Sequence, residues 1–158
     1  MDSILDSLLA QEATLQFPSF DEDRAWELGK LLVETARNRS CPIAIDIRQG
    51  ERQLFHASLP GASPDNDQWI ARKVRTVSRF GHSSFYMGNL LKASGKSISE
   101  KYFVPETEYA AHGGSFPIII RGSGMVGTVT VSGLPQEEDH RLVVECLGIV
   151  IGRMSAGA

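Results

Sequence analysis

The stretch "FPIIIRGSGMVGTVTVSG" runs from Phe116 to Gly133, and within it Gly122 to Gly127 match G-x-G-x-x-G. In a dinucleotide-binding unit those glycines must open a helix, because its free amides and positive dipole end meet the pyrophosphate. Here they are followed by "TVTV", four β-branched residues that favour a strand. The glycines are therefore read as the turn of a hairpin, not as a nucleotide loop.

A second hairpin precedes it in "PIAIDIRQGERQLFHASL", Pro42 to Leu59. Ile43, Ile45 and Ile47 alternate with Ala44, Asp46 and Arg48, so one face is buried, and "QGER" supplies the turn.

Helices fill the intervals. "DSILDSLLAQEA" has helical spacing over about residues 3–13, with Asp2 or Ser3 as its cap, and "TLQF" after it can extend. "SFDEDRAWELGKLLVETARNRS" starts at Asp21 and turns Trp26, Leu28, Leu31, Leu32 and Thr35 inward. "QWIARKVRTVSRF" is capped by Asp67 and stopped by Gly81; Ser83 caps the next helix, which ends at Gly95. Lys96 to Gly114 has weak periodicity and reads as a long irregular connection, a place where function often resides. The last helix begins at Pro135, with acids in its first turn and Arg153 near its end. Helices, hairpin, helices, hairpin, helix: without βαβ alternation this predicts one α+β domain over residues 1–158, an antiparallel sheet with helices packed on it.

The chain has 158 residues, 42% hydrophobic and 22% charged, as expected of a globular domain. Its apolar runs are too short to span a membrane, and its acidic N-terminus does not resemble a signal peptide. Cys41 and Cys146 lack metal-ligand spacing and read as packing thiols of a cytoplasmic protein. No metal site is predicted.

Charge is unevenly placed. Gln68 to Ser99 holds Arg72, Lys73, Arg75, Arg79, Lys92 and Lys96 and no acid, so it carries +6 against −9 for the rest of a chain whose net charge is −3. A local basic block on an acidic protein argues against nucleic acid and for a small anion. Arg72, Arg75 and Arg79 fall at i, i+3 and i+7, on one helix face. His82, Ser83 and Ser84 follow at a helix N-terminus, and guanidinium forks beside free amides suit a carboxylate or phosphate. The same arginines can instead pair with acids of a neighbouring subunit or lie in solvent. His112 precedes Gly113 and Gly114, whose bare backbones admit a ligand closely; the same histidine can simply cap a turn.

Catalytic signatures are thin. There is no G-x-S-x-G, H-E-x-x-H or C-x-x-C, and "EEDH", Glu137 to His140, already suits a helix start. A Ser84–His112 pair would require the fold to bring them together. The last helix is apolar nearly all round, with Gly148 and Gly152 four apart, which predicts a homo-oligomer.

The segments "RF-HSS-MG" (Arg79 to Gly88), "YAAHGGSFPI" (Tyr109 to Ile118), "GTVTVSGLPQEEDH" (Gly127 to His140) and "LVVE" carry a family resemblance. The chain resembles, from about Gln11 to Met154, a family of small bacterial and fungal proteins related to the GlcG/HbpS-like, haem-associated domains. More distant relatives share the progression Gly113-Gly114, Pro117-Ile118, Gly124, Val126-Gly127, Val131-Ser132-Gly133 and Asp139. The resemblance implies a profilin-like fold with a central antiparallel sheet, flanking helices and symmetric oligomers. Some relatives are linked to haem binding or degradation and others to small-molecule operons, so haem is a possible cofactor with His82, His112, Met87 or Tyr109 as its axial donor. Three functions therefore stand: an oligomeric protein holding an anionic molecule between the Arg72–Ser84 segment and the His112–Gly114 turn, a haem-binding or haem-degrading protein, and a module docking an acidic protein.

Overall fold

The structure, a computed structural model, describes residues 3–156. The elements are α1 (Ile4–Thr14), α2 (Glu22–Asn38), β1 (Ala44–Gln49), β2 (Arg52–Ser58), α3 (Pro64–Phe80), α4 (Ser84–Ser94), α5 (Ile98–Tyr102), β3 (Ser115–Ile120), β4 (Gly124–Ser132) and α6 (Gln136–Ala156). The four strands lie in the order β2-β1-β4-β3, every pair antiparallel. Both hairpins form as expected, and pairing of β1 with β4 joins them into an α+β layered fold.

Strand alternation gives the sheet two unlike faces. Ile45, Ile47, Phe116, Ile118, Val129 and Val131 make the core with Leu28 and Leu32 of α2 and Leu142, Cys146, Leu147 and Val150 of α6. The opposite face carries Asp46, Ser115, Thr128, Thr130 and Ser132, all buried, with Ile70 and Val74 of α3 packed at Ala44. That second layer is polar, and two cavities open along it, one lined in part by Ser132 and the other by Thr128.

Three local expectations are corrected. Trp26 does not point inward; it is 64% exposed and lies edge-on against Phe55 at 5.7 Å. A Cβ at Gly29 would sit 2.5 Å from the Phe55 ring, so Phe55 occupies the inward stripe and the indole is left at its rim. The third helix starts at Pro64, with Ser63 as its cap and the Ser63 amide donating to Asn66 Oδ1 at 2.9 Å; Asp67 faces His56 instead, 2.9 Å away. Proline at the first helical position explains the earlier start, since its missing N–H has no helical partner to lose. The segment after Gly95 is not wholly irregular: Ser97 and Glu100 cap each other and nucleate α5. Ser3 caps α1 through the Asp6 amide at 3.1 Å, and Asp2, the other candidate, lies outside the described residues. "TLQF" contributes a single parallel bridge, Phe17 to Ile120.

The apolar girth of α6 is covered largely within the chain. Leu142, Val143, Cys146, Leu147, Val150 and Ile151 are buried, Gly148 faces Leu15, and Ile149 alone among its large apolar residues is exposed. Both cysteines are free, and burial pushes the Cys146 thiol up to about 11. Cys146 is therefore expected to stay unmodified by a disulfide reagent in the folded protein and to react on unfolding, as thiol titration with and without denaturant will show. No described helix is long and apolar enough to cross a membrane.

Candidate functional site

The arginine row of α3 pairs with no acid among the described residues; Arg72 is half-buried, Arg75 and Arg79 are exposed, and each rests on a carbonyl or ring of the segment before His112. The Arg72 guanidinium lies over the Trp69 ring, 4.5 Å from its centre, and donates through Nε to the Glu106 carbonyl at 3.1 Å and through Nη2 to the same oxygen. Arg75 Nη1 donates to the Glu108 carbonyl at 3.2 Å, and Arg79 lies over the Tyr109 ring at 5.9 Å. The Ala110 amide donates to the Arg72 carbonyl at 3.2 Å. Three guanidiniums thus fasten the segment that leads into the His112 turn. Charge-assisted bonds to the Glu106 and Glu108 carbonyls order the part of this connection beyond α5, which has no helix or strand of its own.

His82, Ser83 and Ser84 work inside the fold. Ser83 is buried and accepts from the Tyr86 amide at 3.1 Å as the cap of α4. Ser84 accepts from the Ser115 amide at 3.0 Å and donates to the Ser115 carbonyl at 3.3 Å, fixing α4 to the start of β3. His82 Nδ1 lies 2.8 Å from Glu12 Oε1 and its ring stacks on Tyr86, so it holds α1. Burial raises the Glu12 carboxyl, and the His82 contact opposes that rise. None of the three lines a cavity with His112, and the expected Ser84–His112 pair does not form, because Ser84 is committed to Ser115.

His112 itself stands on a wall shared by two cavities. One, of about 360 Å³, is lined by Asn66, Trp69, Lys73, Ser132, Gln136 and Asp139 among others; the second, of about 280 Å³, includes Arg72, Lys96, Ser97, Glu106 and Tyr109. The imidazole meets the Trp69 ring edge-on at 5.3 Å, and no described group hydrogen-bonds its ring nitrogens. Partial burial lowers its pKa, and Lys73 and Arg72 lower it further. The glycine pair is less open than its sequence suggests. The Gly113 amide donates to Gln136 Oε1 at 2.9 Å, and the Gly114 carbonyl accepts from Val131 at 3.0 Å.

The groups that sequence reading missed are Lys73 and Asp139. Lys73 is 3% exposed; its Nζ donates to the Val131 carbonyl at 3.1 Å and to Asp139 Oδ2 at 3.3 Å. Asp139 Oδ1 accepts from the Leu134 amide at 3.0 Å. Burial lowers the Lys73 pKa and pushes Asp139 up to about 6, each opposed by the partner. A signal existed. Lys73 lies on the apolar stripe Ile70-Val74-Val77, and Asp139 on the stripe Leu142-Val143-Cys146, where helical spacing forces burial.

Haem requires an axial donor and a flat apolar slot. Of the four donors, Met87 is buried, His82 is held by Glu12, Tyr109 lies under Arg79, and His112 offers a free imidazole. The walls beside His112 carry Lys73, Asp139, Arg72 and Glu106, so the donor fits and the slot for a macrocycle does not. Among the described residues no three histidine, cysteine, aspartate or glutamate side chains converge as a metal site.

Known proteins sharpen this picture. Residues 20–148 match the family of haem degrading protein HbpS-like domains. The chain is 56% identical over 142 residues to the UPF0303 protein SCO2848 of Streptomyces coelicolor, covering 90% of each chain, and 47% identical over 148 residues to the UPF0303 protein Bxeno_A1932 of Paraburkholderia xenovorans, covering 94% and 90%. Its structure is similar to yeast Ybr137w, with 36% identity, a TM-score of 0.89 and coverage of 98% and 91%. It shares its fold with HbpS at 17% identity, a TM-score of 0.66 and coverage of 87% and 93%. The protein is therefore a member of the UPF0303 family, built on an HbpS-like domain.

Proposed function

We propose that the protein binds a small anionic molecule, carboxylated or phosphorylated, in the cleft at His112. The observation that carries this reading is an imidazole with unpartnered nitrogens, set between two cavities, its pKa lowered by burial and then by Lys73 and Arg72. The local field is positive where a ligand would enter, and Trp69 and Tyr109 supply flat walls. Arg72 is the one arginine of the expected row that reaches this cleft; Arg75 and Arg79 support it by holding the connection in place. Gln136, already on the Gly113 amide, and Asn66 add neutral hydrogen-bonding groups. Self-association and a cytoplasmic location belong to the same reading.

Anion binding should favour protonated His112, raising a pKa that the free protein lowers. The affinity then falls as pH rises through the pKa of the bound state. Thermal stabilisation by citrate or phosphate should be larger near about pH 6 than near about pH 8, and His112→Gln should remove most of that difference. Absence of stabilisation, or stabilisation indifferent to both His112→Gln and Arg72→Ala, would sink the reading.

Haem is the second reading, favoured by the free imidazole and by the shared fold with the PduOC–haem complex, at 16% identity and a TM-score of 0.66. A hemin Soret shift lost in His112→Ala would support it, with the missing apolar wall then coming from a second copy. Docking of an acidic partner protein rests on the same arginines and has no separate observation behind it.

A further inference from the structure

We infer that the cavity between the second half of α3 and the hairpin tips is a separate ligand site, one that takes a small monocarboxylate with an apolar chain. Its volume is about 520 Å³, and Arg48, Val74, Arg75, Ser78, Met125 and Thr128 line it. It lies at the other end of α3 from the His112 cleft. Asn66, near the helix start, bonds Ser132 at the end of β4, whereas Arg75 and Ser78 stand over the Gly124-to-Thr128 end.

Three features make it a built site. Thr128 is 2% exposed, yet its Oγ1 finds no partner among the described groups. A buried hydroxyl without a partner destabilises a fold unless something else bonds it. Two guanidiniums stand on the same wall, each with one nitrogen engaged: Arg48 Nε donates to Asp46 Oδ2 at 2.9 Å, and Arg75 Nη1 to the Glu108 carbonyl. Their remaining N–H groups are free to fork onto a carboxylate. Val74 and Met125 form the apolar side. Asp46 already offsets Arg48, and Glu51 stands at the rim, so a single negative charge suits the cavity better than a phosphate dianion.

The test is an NMR titration of the full chain with hexanoate, with hexanol and inorganic phosphate as comparisons. Hexanoate should saturate and shift the Thr128 and Ser78 amides. Thr128→Val should weaken it about tenfold, the effect of one lost charge-assisted hydrogen bond, while raising the melting temperature of the free protein. His112→Gln should change nothing, which separates this site from the cleft described above. Hexanol binding as well as hexanoate, phosphate binding more tightly, shifts confined to the His112 cleft, or an unchanged hexanoate affinity in Thr128→Val would each overturn the inference.

Discussion

Lys73→Met is expected to destabilise the protein by about 3–5 kcal/mol at neutral pH, because it leaves Asp139 as a buried carboxylate without its cation. The Met side chain fills most of the lysine volume, so little of the loss comes from a cavity. The Leu134 amide remains on Asp139 Oδ1, but the attraction that opposes burial is gone. The pH dependence separates this account from a packing defect. Asp139 holds its proton more tightly folded, with a pKa of about 6, than unfolded, where 3.8 is normal. Such a group favours the folded state most below pH 3.8, and that contribution is lost as pH rises through 6. Without Lys73 the folded value climbs higher still, so the variant should regain stability between about pH 8 and pH 5 relative to the native chain. Adding Asp139→Leu should restore much of the loss at neutral pH, since an apolar pair replaces an ionic one at small net cost. Urea melts of the three proteins at both pH values decide the matter; equal losses at each pH would refute it.

Gly114→Ala should be nearly as damaging, with an expected loss of at least about 3 kcal/mol, because strain and overlap act together. Gly114 has φ +135°, a conformation that side chains rarely adopt. Its added Cβ would meet the Val131 carbonyl within 2.4 Å and Lys73 Nζ at 2.7 Å. The Val131 carbonyl is backbone held in the sheet and cannot move away cheaply. Lys73 can move only by abandoning Asp139. Gly50→Ala provides the control: φ is +59° there, but nothing lies within 4 Å of the new atom. Its cost should stay near about 1 kcal/mol, the strain alone. Similar melting temperatures for the two variants would show that the contacts around Gly114 do not matter.

These two residues also mark where sequence reading stopped. The glycine pair and the basic block are legible in the sequence, where both suit ligand contact. In the structure Gly114 admits the lysine beneath it, and Arg75 and Arg79 hold the chain that carries His112. Ser83 and Ser84 looked like open helix-start donors because a cap is legible in sequence. Whether a neighbouring strand consumes the free hydroxyl is not, and Ser115 does so.

Sequence alone determined the elements: two hairpins, the rejected dinucleotide loop, the polar and apolar sides of most helices, and the family resemblance. Periodicity and turn chemistry act over a few residues, so they can be read without knowing the fold. Tertiary structure alone decided that β1 pairs with β4, that α3 covers a polar sheet face, and that Lys73 meets Asp139 across 66 positions. Those outcomes depend on which surfaces share a buried interface. There desolvation makes a long-range partner necessary, and local pattern is silent about which partner it is.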